Sequence, residues 1–382
     1  MLASPGVSAG NFLLCGCQPG AEGALRGRLA EVMPTLKPAA WRRGVATFRI
    51  LEPAAISTDR VEAEGVFVRA VIDSLGQVTA DDAGGLVHDA VALARSSNVV
   101  PQNVHVWHRV TPVGRGLAEA ITAAADVRGM MLDALGLDRS LPAEAAAGAL
   151  VLDCVIDSES RWWVGWHMAS GIASRWPGGF HPAAFSELPE GVVSRAWLKL
   201  DEAIRVFEIP LVKGQRAIEL GASPGGACQR LLEAGLDVVG VDPALVDPVV
   251  ASRPRFAQWR MRAREVPLEK FRGCDWLVAD MNIDPTSTLA SLGRAATARG
   301  AKLQGIIATL KIPDWARAAE LSGWLDTIRS WGFEPRARQL STSGREVCVV
   351  AMPTGMASRP PQHTKKKVNR RGPRRAKRPP AE

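Results

Sequence analysis

The 382 residues contain no tyrosine, so any site that needs a phenol is excluded. No stretch approaches the roughly 18 uncharged apolar residues that a membrane-spanning helix requires. The start, MLASPGVSAGNFLLCGC, has no basic region ahead of its short apolar run, so no secretory signal is expected. Cysteine is scarce. The six residues at 15, 17, 154, 228, 274 and 348 are scattered through apolar segments. That pattern fits buried, reduced thiols in a cytoplasmic protein and excludes a disulfide framework. Cys15 and Cys17 form C-x-C, but no nearby His or Cys pair completes a zinc site, and no metal is expected. No internal repeat is present.

What is there is a globular composition: 47% hydrophobic and 23% charged residues, ample for a core. The length suggests two or three domains. The net charge of +8 is unevenly placed. From Arg359 onward ten basic residues face a single acid, so the tail carries +9 and the remainder about −1. A Pro-interrupted basic block cannot bury a core and is expected to be disordered. It would neutralise phosphates without regard to sequence. Lys365, Lys366, Lys367, Arg370 and Arg371 are its candidate RNA contacts.

In the amino-terminal half, Asn11–Cys17 is strand-like, Ala21–Met33 has helical spacing and Trp41–Ile50 returns as a strand. That is a small α+β unit over 1–55. Strand and helix compete over Asp59–Gly76. Asp81–Ser96 and Leu117–Leu135 are expected helices, the first capped by Asp81 or Asp82. Val104–Val110, Ala149–Ile156 and Arg161–His167 are expected strands. Trp162, Trp163 and Trp166 beside Arg161 could stack on bases, although core packing is the commoner use of such residues. Met168–Pro189, rich in Pro and Gly, joins the halves, with the linker proper at 176–190.

From Val192 the pattern alternates helices with buried strands and ends in two strands, Pro335–Leu340 and Glu346–Met352. A mostly parallel sheet with an antiparallel edge follows. Ser194 is a plausible cap for a helix running to Phe207. The stretch AIELGASPGGACQRLLEAGLDVVGVDP (Ala217–Pro243) reads as strand, Gly-rich loop, helix and second strand, with Asp242 about 20 residues past Gly221. Such a unit suits a nucleotide-like ligand. Backbone N–H groups face it at the helix start, and the acid accepts from ribose hydroxyls. Gly221 is followed by Ala222-Ser223-Pro224 rather than x-G, so a dinucleotide is not the first choice.

Ligands of open α/β sheets bind beyond the carboxyl ends of the strands. Asp280, Lys311 and Glu346 fall at or beside strand ends, and Lys199 lies on the helix leading into the sheet. Lysine is costly to bury, so Lys311 directly after GIIATL needs a charge partner or a task. These four residues, with SRAWLKLDEA (Ser194–Ala203), ELGASPGG (Glu219–Gly226), VADM (Val278–Met281), ATLK (Ala308–Lys311) and GREVCVVA (Gly344–Ala351), resemble the FtsJ-like ribose 2′-O-methyltransferases. The resemblance covers about 160 residues. It implies a Rossmann-like fold over 191–355 that binds S-adenosylmethionine. The family's K-D-K-E tetrad then falls on Lys199, Asp280, Lys311 and Glu346. The cofactor would meet Glu219, Gly221, Ser223, Pro224, Gly225, Gly226, Asp242 and Asp280. Ser194 and Arg195 are further candidates for RNA. The resemblance leaves open whether Lys311 is a neutral base or a cation holding the hydroxyl. The amino-terminal half is similar to that of the RlmM-type members, which implies a THUMP-like RNA-binding domain over 56–175 and a cytidine of large-subunit rRNA as substrate.

Two residues depart from the family pattern. Position 219 is Glu where Asp is usual, and Ala263 stands near the place of an Asp that meets the adenine. Rival readings fare worse on the same residues. An N-P-P-Y enzyme needs a motif that DMNID (Asp280–Asp284) lacks, and neither Cys274 nor Cys348 is placed to serve as the nucleophile of a 5-methylcytosine enzyme. An RNA-binding ribosome-assembly factor on a retired methyltransferase fold is the alternative that the intact tetrad opposes.

Overall fold

The computed structural model describes residues 10–53, 56–111, 116–186 and 188–355. The basic tail from 356, with Lys365, Lys366, Lys367, Arg370 and Arg371, lies outside them.

In the amino-terminal half the elements are β1 (Phe12–Gly16), α1 (Glu22–Val32), β2 (Leu36–Arg42), β3 (Val45–Ile50), α2 (Thr58–Glu64), β4 (Ala70–Thr79), α3 (Ala83–Ser96), β5 (Asn103–His108), α4 (Gly116–Leu135), β6 (Leu150–Ser158) and β7 (Arg161–Met168). The competition over Asp59–Gly76 resolves into α2 followed by β4. Ser57 caps the helix, its side chain accepting from Arg60 N. Asp82 caps α3 by accepting from Gly85 N. All seven strands form one sheet in the order β2-β3-β1-β4-β7-β6-β5. β1 pairs with β3 on one side and β4 on the other, so a single sheet joins strands from both of the units that the sequence divides between 55 and 56. Trp162 and Trp163 are buried in the core of this half, not offered to a ligand.

The connecting segment is packed. Trp176 is 1% exposed, Gly178 O accepts from Arg69 Nε at 2.7 Å, and the Arg69 guanidinium lies 3.5 Å over the Phe180 ring.

The carboxy-terminal half contains α5 (Ala196–Val206), β8 (Arg216–Leu220), α6 (Gly226–Glu233), β9 (Asp237–Val241), α7 (Pro248–Ala251), β10 (Phe256–Trp259), β11 (Trp276–Ala279), α8 (Pro285–Ala296), β12 (Gly305–Lys311), α9 (Leu321–Ser330), β13 (Phe333–Arg338) and β14 (Glu346–Pro353). The sheet order is β10-β9-β8-β11-β12-β14-β13. β8 to β12 are parallel, and the burial of β8, β9, β11 and β12 on both faces explains their near-continuous apolar runs, while β10 at the edge is partly exposed. Only β14 is reversed. It pairs antiparallel with both β12 and β13, so the reversed strand lies one place in from the edge.

Ser194 does not cap α5. Arg195 occupies the cap position without a side-chain bond. Ser194 Oγ is instead held close against Gly226, where an added Cβ would come within 2.2 Å of it.

The halves share an apolar core that includes Leu13, Leu25 and Phe67 from one and Leu321, Val347 and Ile312 from the other. Polar ties flank it: Arg338 bridges Glu62 at 2.9 Å and donates to Arg69 O, and Arg28 donates to Ser322 Oγ. No helix among the described residues is long and apolar enough to cross a membrane.

Trp176→Ala should cost about 3–5 kcal/mol of stability, the range for truncating a buried aromatic. Urea unfolding measures it. A loss below about 1 kcal/mol would mean that the connector is a loose tether.

Candidate active site

Strand register creates the central constellation. Lys311 ends β12 and stands directly opposite Glu346, the first residue of β14. Asp280 follows β11, the neighbour of β12 on its other side. Lys199 reaches in from α5. The four side chains form a closed ring of alternating charge. Lys199 Nζ lies 3.1 Å from Asp280 Oδ2 and 2.8 Å from Glu346 Oε1. Lys311 Nζ lies 3.2 Å from Asp280 Oδ1 and bonds Glu346 Oε2. Each ammonium thus meets both acids, and each acid both ammoniums. The Glu346 side chain is 6% exposed and both lysine side chains 20%, so the ring opens to solvent on the lysine side.

Burial alone would lower the Lys199 pKa, but the charges of Asp280 and Glu346 outweigh it and hold the value above the ordinary one. Burial alone would raise Glu346, but Lys199 and Lys311 hold it below the usual carboxylate range. The stability contributed by Glu346 is therefore present above its unfolded pKa and lost as the pH falls through its depressed folded value. That of Lys199 is present below its unfolded pKa and lost as the pH rises through its raised folded one.

A cavity of about 750 Å³ opens beyond the carboxyl ends of β8 to β11. Gly221, Ser223, Asp242 and Asp280 line it, so Asp280 belongs to both ring and cavity. The Asp242 carboxylate accepts from Ser223 N at 3.2 Å and Ala244 N at 2.8 Å, which fixes its direction. Gly221 has φ +85°, and a Cβ there would meet Met281 Cγ at 2.7 Å.

Glu219, Pro224, Gly225 and Gly226 do not line the cavity. Gly226 owes its lack of a side chain to the contact with Ser194. Glu219 is 2% exposed within β8, and its Oε2 has no hydrogen-bonding partner among the described residues. Burial pushes its pKa up to about 8, against the lowering effect of its bonds to Cys228. It is a buried acid beneath the loop, whereas sequence alone suggested a direct cofactor contact. Ala263 does line the cavity, flanked by Arg262 and Arg264, with Arg294 of α8 alongside. Spacing did not single out these arginines, because they lie on a 3₁₀ turn after β10 and on the last turn of α8. Arg195 is exposed one helical turn before Lys199, which puts a cation beside the ring.

The turn that delivers Glu346 is held from two directions. Glu202, 1% exposed and one turn beyond Lys199 on α5, accepts from Ser341 N (2.8 Å), Thr342 N (2.9 Å) and Thr342 Oγ1 (2.7 Å). Gln18, from the amino-terminal half, donates through Nε2 to Leu340 O at 2.9 Å and Ser343 O at 2.5 Å. Sequence reasoning missed both. The available signal was Glu202 lying within the same short motif as Lys199.

Glu219 yields a test with a definite sign. A carboxyl whose folded pKa is raised binds more protons folded than unfolded, so wild-type stability should fall as the pH rises from about 4.5 to about 8. Glu219→Gln should remove most of that slope in urea unfolding followed across the window. An unchanged slope would contradict the assignment.

Residues 192–311 match the family model described as FtsJ-like methyltransferase. The chain is 32% identical over 206 residues to the Halorhodospira halophila protein named "Ribosomal RNA large subunit methyltransferase M", covering 51% of this chain and 57% of that one. It is 30% identical over 190 residues to the protein of the same name from Thauera aminoaromatica, covering 48% and 50%. The chain thus spans about half the length of these curated relatives. Among solved structures, TrmN from Thermus thermophilus aligns over 90% of this chain and 99% of its own, with 16% identity and a TM-score of 0.32, too low to speak for a shared fold. Residues 192–311, which hold Lys199, Asp280 and Lys311 but end before Glu346, are thus the part of this chain that matches the FtsJ-like methyltransferases.

Proposed function

We propose that the chain methylates a ribose 2′-hydroxyl of RNA from S-adenosylmethionine, with a cytidine of large-subunit rRNA as the substrate. The observation that carries this reading is the closed Lys199–Asp280–Lys311–Glu346 ring sharing Asp280 with a nucleoside-sized cavity. The curated relatives carry rRNA methyltransferase in their names, which supports the substrate class.

The cavity fits the cofactor in volume and in donors. Asp242 is aimed as an acceptor for ribose hydroxyls, Gly221 leaves room for a ligand beside the loop, and Asp280 puts a negative charge on the cavity wall that would suit a sulfonium. When bound, S-adenosylmethionine supplies a methyl group activated by that sulfonium.

The chain's own residues do the rest. Lys311, once it has released its own proton to solvent, takes the proton of the hydroxyl, and Asp280 and Glu346 stabilise the ammonium so formed. Lys199 and Glu346 position the ribose. With Lys311 neutral the ring carries one net negative charge, which the arriving proton cancels. No covalent enzyme intermediate is required. RNA would be held by the exposed Arg195, by a THUMP-like amino-terminal half, and by the tail basic residues Lys365, Lys366, Lys367, Arg370 and Arg371, whereas the Ser194 hydroxyl, buried against Gly226, drops out of the set. An rRNA substrate places the protein in the cytoplasm. The ring also weighs against the reading as a non-catalytic assembly factor. Such a factor would need no such set of buried charges, whose desolvation is costly.

Lys311→Ala should lower kcat by roughly 10²–10⁴, the usual worth of a positioned acid–base group, while the Kd for S-adenosylmethionine changes by no more than about threefold. Single-turnover kinetics and calorimetry separate the two. Full activity in Lys311→Ala would overturn the mechanism. Failure of the wild type to bind S-adenosylmethionine would favour the assembly-factor reading.

A further inference from the structure

Three ionisable side chains unused by the methyltransferase domain meet inside the amino-terminal sheet. His105 on β5 stands directly opposite Asp153 on β6. Asp153 opposes Gly165 on β7, and His167 lies two residues further along, on the same face. The three are 0%, 1% and 5% exposed. Their donor atoms all lie within 4.8 Å of one another.

We propose that His105, Asp153 and His167 form a binding site for a divalent metal ion of the zinc class. Four features of the geometry carry it.

The first is an unmet need. The His105 ring is fully buried, and neither of its nitrogens makes a well-formed hydrogen bond among the described residues; the Ala143 carbonyl acts on it only weakly. A buried polar atom left in that state costs free energy that a bond to a metal would recover.

The second is spacing. Two donors bound at 2.0–2.1 Å around a tetrahedral ion sit roughly 3.3 Å apart. Asp153 Oδ2 lies 2.5 Å from His167 Nδ1 and Asp153 Oδ1 lies 4.0 Å from His105 Nδ1, so the carboxylate stands between the two imidazoles with one oxygen towards each.

The third is orientation by outer partners. His167 Nε2 donates to Ser174 O at 2.7 Å and Nδ1 faces the Asp153 carboxylate, so the metal-free chain pairs an imidazolium with that acid and a bound ion would take the place of the Nδ1 proton. Trp107 Nε1 donates to Asp153 Oδ1 at 3.1 Å and fixes the carboxylate. Imidazoles held by a backbone carbonyl, with a carboxylate that is itself hydrogen-bonded, are the arrangement metal ligands use.

The fourth is charge. Asp73 and Glu62 lie close enough to act on His167, and Arg128 on His105. Glu62 is itself paired with Arg338, so Asp153 and Asp73 are the acids left to favour a cation here, with Arg128 opposing them. Two imidazoles and one carboxylate match zinc or cobalt better than calcium or magnesium, which take oxygen donors. A water would complete the set. The bound ion would staple β5, β6 and β7 together, and through Ser174 the connector as well. Sequence spacing hides the site, because the ligands lie 48 and 14 residues apart and only the strand register unites them.

The test uses the full chain, freed of metal by chelator and dialysis, then titrated with Co²⁺. One saturable equivalent is expected, with the intense visible bands of a four-coordinate ion and a raised Tm. His105→Gln and His167→Gln should each weaken binding at least tenfold, while His88→Ala, at an exposed histidine, should leave it unchanged. The proposal is overturned by no saturable uptake, by a pale six-coordinate spectrum, or by folded variants that bind as the wild type does. Should both variants fail to fold, imidazole ¹⁵N shifts of the wild type on Zn²⁺ addition decide. Shifts in His105 and His167 uphold the site, and shifts confined to other histidines overturn it.

Discussion

Two ammonium groups and two carboxylates hold one another at the ends of β11, β12 and β14, and the carboxy-terminal architecture depends on keeping them there. Any one of these charges alone would be expensive in so enclosed a place. In alternation each meets two opposite neighbours. The arrangement leaves little freedom. Lys311 and Glu346 face each other only if β14 runs antiparallel beside β12, and a one-residue slip would turn both to opposite faces. That accounts for the inserted position of β14, one strand in from the edge.

The same requirement reaches the rest of the molecule. Glu202 grips the turn before Glu346 from the helix that presents Lys199, so two of the four charges are set by one rigid element. Gln18 grips the same turn from the other half of the chain, across a shared apolar core. The amino-terminal half is therefore more than an attached module. Its first turn takes part in holding the segment that carries a ring residue.

The architecture was legible where chemistry and periodicity coincide. The alternation of apolar strands with helices, the glycine loop and the four charges at strand ends were all readable, because lysine after a buried strand has few uses. Legibility failed where a residue's reason lies in another segment. Gly226 looks like a ligand-facing glycine but makes room for Ser194. Glu219 looks like a ligand contact but is buried beneath the loop. The linker looks loose from its Pro and Gly content, yet Trp176 and the Arg69–Phe180 stack pack it tightly. One sheet holds all seven strands between Phe12 and Met168 among the described residues because β1 pairs with β4, a long-range choice that no local pattern records.

The claim at the centre is that the ring acts on a sugar oxygen. Incubating the protein with deproteinised, unmodified rRNA and methyl-labelled S-adenosylmethionine, then mapping the label by nuclease digestion and mass spectrometry, tests it directly. The account expects label on a single ribose 2′-oxygen, at a cytidine of the large-subunit rRNA. Label on a base, or none on RNA from a protein that binds the cofactor, would contradict it.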